Sequence, residues 1–363
     1  MSARPRLATP ATTIPEPRML QSIENLAQHP LGALAFLAVG IIVLLTGGHA
    51  LVHGAAAIAR RMGWSTLVIG LTIVAFGTSA PELFFNIIAA LNDHGELSFG
   101  NIVGSNIANI GLILGVTALF APLVVHGRIV NKELPWLIVI SLAILGLALF
   151  PFSGDDRSFD RYEAGLMLIC FGLFTTGWYR LGKREAADPL VAELGETAEE
   201  ESHAPLGVAW LLFVVGLTAL LVGGKATEIG AVSVARSLGW SESLIGLTIV
   251  AIATSLPELT TCIIAVRKGH DDLAIGNLVG SNIFNLLLVL GVTAVIAPVQ
   301  VPSQWGLWDL IAMNVITIML LLFAMTNKYK VNRLEGGTLL LMYVVYMTFS
   351  VWRELGGSST AAP

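Results

Sequence analysis

GLTIVAFGTSAPEL at residues 70–83 and GLTIVAIATSLPEL at residues 246–259 are two copies of one segment, set 176 positions apart. The match runs without a gap from Gly63–Pro122 onto Gly239–Pro298, and 36 of the 60 positions are identical. Within it, GNIVGSNIANIGLILGVTALFAP at 100–122 meets GNLVGSNIFNLLLVLGVTAVIAP at 276–298. Shared hydrophobicity does not bring Thr-Ser-x-Pro-Glu and Gly-Ser-Asn-x-x-Asn into register twice, so the chain holds an internal repeat.

The surroundings of these segments are apolar. Of the 363 residues 55% are hydrophobic and 12% charged, with a net charge of −5; a soluble domain carries roughly 25% charged residues. This composition excludes a soluble enzyme, a disordered chain and a nucleic-acid binder with a basic face. About ten apolar runs are long enough to cross a bilayer, near 31–53, 64–91, 97–121, 134–151, 162–180, 206–223, 243–266, 273–297, 305–326 and 335–352. The predicted fold is an all-α polytopic membrane protein of about ten transmembrane helices in two five-helix repeats. Five spans separate equivalent points, so the second copy enters the membrane inverted. Helices 2, 3, 7 and 8 are expected to be broken and to form the core, as in alternating-access transporters whose sites lie where two repeats meet.

The organisation follows. Residues 1–30 are expected to be a mobile N-terminal tail, 31–180 and 206–354 the two repeats, 181–205 an acidic linker and 355–363 a C-terminal tail. The linker holds seven acidic residues against Lys183 and Arg184 and reads as a solvated segment. Lys and Arg concentrate in the connections after odd-numbered spans, which predicts that these and the linker are cytoplasmic and both termini outside. Trp136, Trp178, Trp210, Trp305, Trp308 and Trp352 fall near predicted helix ends and are expected to anchor them at the membrane interface. Cys170 and Cys262 sit in apolar runs and read as small core hydrophobes.

Glu82 and Glu258 lie in the middle of apolar spans, where a carboxylate costs about 2.5–3.5 kcal/mol even on a lenient scale. Pro81 and Pro257 precede them and remove helix hydrogen bonds, freeing carbonyls near Phe76–Gly77 and Ile252–Ala253, with strain reaching Ala75 and Ala251. Thr78, Ser79, Thr254 and Ser255 add hydroxyl oxygens in the same turns. Ser105 and Asn109, and likewise Ser281 and Asn285, share one helix face four residues apart. Asn106 and Asn282 are expected to pack helix against helix, and Gly100, Gly104, Gly276 and Gly280 to let helices approach closely. The candidate set is all oxygen with two carboxylates. Such a set suits a hard cation, and Ca²⁺ better than Mg²⁺, which demands tight octahedral geometry.

GTSAPE at 77–82, ATSLPE at 253–258 and the two GSNxxN motifs at 104–109 and 280–285 resemble the α-repeats of the sodium/calcium exchanger family, in particular its bacterial calcium/sodium antiporter branch. The resemblance covers nearly everything from 31 to 354. It implies Na⁺/Ca²⁺ antiport by alternating access, three Na⁺ per Ca²⁺, with Ca²⁺ extrusion across a bacterial inner membrane. It implies Ca²⁺ carboxylates at Glu82 and Glu258 and hydroxyl ligands at Thr78, Ser79, Ser105, Thr254, Ser255 and Ser281. Carbonyl ligands then fall at Ala75 and Ala251, and a central amide at Asn109. Position 285 varies in the family; Asn285 replaces the Asp of its potassium-dependent branch, which argues against K⁺ co-transport. No cofactor, protein partner or nucleic acid is implied beyond the bilayer and the transported Ca²⁺ and Na⁺. An H⁺/Ca²⁺ antiporter using the same two glutamates remains open at this point, and a cation channel is a more distant reading.

Overall fold

The computed structural model describes residues 29–92, 94–151, 157–186, 205–239, 253, 255–326 and 329–357. The first copy contains α1 (Pro30–Met62), α2 (Thr66–Thr78), α3 (Ala80–Leu91), α4 (Gly95–Phe120), α5 (Ile129–Leu149) and α6 (Arg161–Ala186). The second contains α7 (Leu206–Ser237), α8 (Leu256–Arg267), α9 (Asp271–Ile296), α10 (Gly306–Thr326) and α11 (Arg333–Gly357). Among the described residues eight helices are long and apolar enough to cross a membrane, and the bent pair α2–α3 makes a ninth span. The tenth expected span is described continuously only from Ser255 onward, as α8. The expected N-terminal tail and most of the acidic linker lie outside the described residues; α6 runs on to Ala186, beyond the boundary expected at 180.

The repeat recurs in the backbone. Ser79 stands between α2 and α3 at φ −83°, ψ 0°, and Ser255 precedes α8 at φ −93°, ψ 2°. His94 and His270 open α4 and α9 with nearly the same angles. α6 and α11 each begin with a capping box, in which an Asx side chain and a first-turn glutamate side chain accept from backbone amides of the opening turn. The Asp160 amide donates to Glu163 Oε2 at 3.1 Å and the Tyr162 amide to Asp160 Oδ1 at 2.8 Å. In the second copy the Asn332 amide donates to Glu335 Oε2 at 2.8 Å, and the Glu335 amide to Asn332 Oδ1 at 3.0 Å.

Four two-residue strands, which the apolar pattern does not announce, tie the copies together. β1 (Leu123–Val124) pairs antiparallel with β4 (Lys330–Val331), and β2 (Ser158–Phe159) with β3 (Val299–Gln300). Each ladder joins a connection of one copy to a connection of the other. α5 and α10 meet through Ser141 Oγ, which donates to Asn314 Oδ1 at 2.8 Å. Their acidic N-terminal residues are matched anchors. Glu133 accepts from Arg128 Nε at 3.0 Å and Trp178 Nε1 at 3.2 Å. Asp309 accepts from Arg353 Nη1 at 2.7 Å, Arg353 Nη2 at 3.0 Å and the Tyr346 hydroxyl at 3.2 Å. Trp178 is therefore no interfacial anchor: it is buried, because its indole N–H serves a buried carboxylate.

The expectation of four broken helices needs correction. α2–α3 is broken at Ser79, with a bend of 41°. α4 and α9 are continuous, and each is widened by one π-helical turn, Asn109–Leu114 and Asn285–Val289. Neither turn contains a proline, so a wider turn absorbs the irregularity without cutting the ladder. The wide turn of α2 lies at Gly70–Val74, earlier than the stretch expected from Pro81. These helices are the core: the central windows of α4 and α9 are 78% buried, against 28% for α1 and α7.

α1 and α7 mate with each other along matched glycines seven residues apart, Gly40, Gly47 and Gly54 against Gly216, Gly223 and Gly230. A Cβ at Gly223 would meet Leu44 N at 2.6 Å, and one at Gly47 would meet Leu220 N at 2.8 Å. Small residues let helix backbones touch where lipid offers no hydrophobic drive. Backbone atoms cannot yield as side chains do, so Gly223→Ala is expected to destabilise the fold by about 1–3 kcal/mol. A lowered thermal midpoint in detergent would register it. Gly172→Ala on α6, with nothing within 4 Å among the described residues, should leave the midpoint unchanged or slightly raised.

Candidate functional site

Pro81 and Pro257 sit in the first turns of α3 and α8, where a missing N–H costs nothing. The Pro-Glu pair is therefore a helix start, and Glu82 and Glu258 each occupy the first turn of a new helix. The positive end of the helix dipole favours a carboxylate there. Glu82 is 5% exposed and Glu258 1%. The two carboxyls lie close enough to interact electrostatically, and the Thr78 hydroxyl faces Glu258.

α4 and α9 complete the surroundings. Thr78 Oγ1 donates to Asn277 Oδ1 at 3.1 Å and lies 3.5 Å from Ser281 Oγ. Asn109 Nδ2 donates to Asn282 Oδ1 at 2.9 Å, and Asn282 Nδ2 to the Asn106 carbonyl at 3.4 Å. The expected helix-to-helix role is thus observed for the Asn282 side chain; Asn106 offers only its backbone carbonyl to it, and its own side-chain amide donates to the Ile102 carbonyl of its helix at 2.7 Å. Ser105 and Asn285 are buried on the same two helices. Ala75 packs under α9, where a Cβ at Gly280 would meet Ala75 Cβ at 2.8 Å. Gly276 makes the matching approach to Leu67, as expected of these glycines. The residues matched to Leu67–Ala75 are 243–251, outside the described residues, so the approach expected of Gly100 and Gly104 lies outside them as well. The Ala75 carbonyl accepts from the Ser79 amide at 3.0 Å, so its second lone pair is what a ligand could use. Thr254 and Ala251 lie outside the described residues.

Several buried oxygens here have no hydrogen-bond partner among the described residues: Ser79 Oγ, Glu82 Oε2, Glu258 Oε2 and Asn285 Oδ1. Buried polar atoms are paired in the great majority of cases, and an unpaired one calls for a partner of another kind. An all-oxygen set with two carboxylates suits a cation. Among the described residues no cluster of three or more His, Cys, Asp or Glu forms, so the rest of such a ligand set would be neutral hydroxyls, amides and carbonyls.

Three residues of this network escaped the sequence reading. Asn277 holds Thr78 across the repeat interface. Asn86 Nδ2 donates to Asn101 Oδ1 at 2.8 Å and to the Glu82 carbonyl at 2.7 Å, buttressing α3 against α4. In the second copy Cys262 stands where the first has Asn86, and Asn277 Nδ2 reaches its sulfur at 3.8 Å. The available signal was an Asn following Gly100 and Gly276 in both copies of an apolar segment.

Two stretches of the chain, 32–179 and 208–352, match the family model described as sodium/calcium exchanger protein. The chain is 40% identical over 317 residues to CaxA of Alkalimonas amylolytica, covering 86% of this chain and 97% of that one. It is 32% identical over 340 residues to the sodium/calcium exchanger MaX1 of Methanosarcina acetivorans, covering 86% and 96%. Among solved structures it superimposes on the sodium-calcium exchanger NCX_Mj with a TM-score of 0.73 at 28% identity, covering 88% of this chain and 99% of the other. The chain is an integral membrane protein of the sodium/calcium exchanger family, an antiporter and not an enzyme.

Proposed function

We propose that the chain exchanges Na⁺ for Ca²⁺, three for one, with Glu82 and Glu258 as the two charged ligands of Ca²⁺. The observation that carries this reading is the pair of buried carboxyls on two helix N-termini, each with an oxygen that has no partner among the described residues. Two negative charges neutralise one Ca²⁺. Thr78, Ser79, Ser105, Ser255, Ser281, Asn109 and Asn285, with the Ala75 carbonyl and, in the second copy, Thr254 and Ala251, supply the neutral oxygens. Ca²⁺ accepts six to eight flexible oxygen ligands. Neutral hydroxyls are also suited to monovalent ions and unnecessary for carrying protons, which favours Na⁺ over H⁺ as the counter-ion. The names of MaX1 and NCX_Mj, both sodium/calcium exchangers, agree.

The moving part in this reading is the α1–α7 pair. Its glycine-mated backbones make it one rigid body, and it is the less buried layer over the α2–α4 and α8–α9 core. It slides across that core and exposes the one site to each side in turn. The membrane is a bacterial plasma membrane, with the connections after odd-numbered spans cytoplasmic and both termini outside.

The test is radioactive Ca²⁺ uptake into proteoliposomes preloaded with Na⁺ or K⁺ at equal pH. Uptake is expected from Na⁺-loaded vesicles only, because Asn285 offers no carboxylate for K⁺. Uptake indifferent to Na⁺ and driven by an imposed pH gradient would replace this reading with H⁺/Ca²⁺ exchange at the same glutamates. A cross-link that pins α1 to α4 while exchange continues would refute the sliding pair.

A further inference from the structure

α5 and α6 leave a groove between them on the outer surface of the protein. Its apolar part, about 400 Å³, is lined by Trp136, Cys170, Leu173, Phe174 and Trp178. An adjoining cavity of about 260 Å³ is lined by Arg128, Lys132, Arg180 and Arg184. Arg128, Lys132 and Gly177 border both, so the two form one continuous recess with an oily half and a basic half. Ligand sites run about 300–1,000 Å³. Leu173 is 68% and Trp136 53% exposed, so the oily half opens to the lipid side.

The charge in the basic half exceeds what the fold requires there. Among the described residues Glu133 is the one carboxylate in the recess, and Arg128 pairs with it at 3.0 Å. Among the described residues no carboxylate pairs with Lys132, Arg180 or Arg184. The second copy supplies an internal comparison. Glu133 matches Asp309, and Asp160–Glu163 matches Asn332–Glu335, which fixes the register of both helices. Arg128, Lys132, Arg180 and Arg184 then fall on Gln304, Trp308, Trp352 and Gly356. There the buried acid is satisfied by a single cation, Arg353, together with the Tyr346 hydroxyl. The helix pair is thus built without surplus cations on one side of the repeat and carries three on the other.

We infer that this recess binds an anionic diacyl phospholipid, its phosphate held by Lys132, Arg180 and Arg184 and one acyl chain laid along Trp136, Leu173 and Phe174. Guanidinium groups match phosphate geometry, and basic pockets between transmembrane helices suit acidic headgroups. A soluble phosphate would use the cations and leave the oily half idle; a zwitterionic lipid would bring its own cation against them. The site is independent of the ion site and of the exchange reaction assigned to it.

The experiment is native mass spectrometry of the full chain in uncharged detergent, titrated with equal phosphatidylglycerol and phosphatidylcholine. One phosphatidylglycerol per chain is expected to be retained preferentially. Lys132→Gln, Arg180→Gln, Arg184→Gln together should lower its retention by about 100-fold. The Arg180→Lys, Arg184→Lys variant should keep most of it. Gly177 borders both halves, and nothing lies within 4 Å of a Cβ there among the described residues. Gly177→Leu therefore fills the recess with its charge unchanged, and should lower retention at least about tenfold. Its thermal midpoint, read alongside, separates loss of the site from loss of the fold. Equal retention of both lipids, or retention sensitive to charge and indifferent to Gly177→Leu, would overturn the proposal and leave the cations as topology signals only.

Discussion

Replacing Glu82 and Glu258 together by Gln should reduce Na⁺-driven Ca²⁺ uptake to the level of empty vesicles. Each single change should lower it by at least about 100-fold, since removing one of the two carboxylates leaves half the charge of a buried Ca²⁺ uncompensated, at a cost of roughly 3–5 kcal/mol. The amide keeps an oxygen ligand and the side-chain volume, so the loss isolates the charge. Stability should move the other way. Both carboxyls are buried, and each has an oxygen without a partner among the described residues. Without a bound ion, burying two charges is costly, and an amide pair is cheaper. In ion-free buffer the double variant should therefore unfold at a higher temperature than the native chain. Adding Ca²⁺ should reverse the order. A ligand at 100 times its Kd stabilises the native state by about 2.7 kcal/mol, and only the chain with both glutamates should gain it. A variant that neither transports nor rises in midpoint would point to a damaged fold. One that still responds to Ca²⁺ would move the site elsewhere.

Much of this was legible in the residues themselves. The twofold Thr-Ser-x-Pro-Glu and Gly-Ser-Asn-x-x-Asn motifs decide the architecture, because a carboxylate and a helix-breaking proline at matched depth in two apolar spans have few structural uses. What escaped was of two kinds. Contacts between distant segments leave no local trace: Asn277 holding Thr78, the β1–β4 and β2–β3 ladders, and the burial of Trp178 by Glu133 depend on which helix faces which. Backbone adjustments are the second kind. Pro81 announces a break, but whether an Asn-led segment without proline breaks or widens depends on packing, and Asn109 and Asn285 begin wide turns. The matched glycines of α1 and α7 were in plain sight at seven-residue spacing, submerged in runs that read simply as apolar.

Coupling to Na⁺ should make the exchange electrogenic, with a sign and size that separate it from proton coupling. Two carboxylates are neutralised by one Ca²⁺ and overbalanced by one charge when three Na⁺ are bound. In Na⁺-loaded vesicles three charges leave as two enter, so each cycle moves one positive charge outward. An inside-positive potential should then speed Ca²⁺ uptake, and an inside-negative one slow it. Each 100 mV is worth about 2.3 kcal/mol per charge, or roughly 50-fold in the Ca²⁺ ratio at equilibrium. Each tenfold Na⁺ gradient supplies about 1.4 kcal/mol per ion, hence about 1,000-fold in Ca²⁺ for three ions. A tenfold gradient with 100 mV gives about 6.4 kcal/mol, enough for a Ca²⁺ ratio above 10⁴. Exchange of two protons for one Ca²⁺ moves no net charge, and one pH unit supplies only about 2.7 kcal/mol. Clamping the potential with K⁺ and valinomycin, and measuring the Ca²⁺ ratio at rest against the Na⁺ gradient, reads both quantities at once. A slope of three with a 50-fold response to 100 mV establishes three-for-one exchange. A slope of two with no response to potential would exclude the third Na⁺, and with it the function assigned to the neutral hydroxyls of Thr78, Ser79, Ser105 and Ser281.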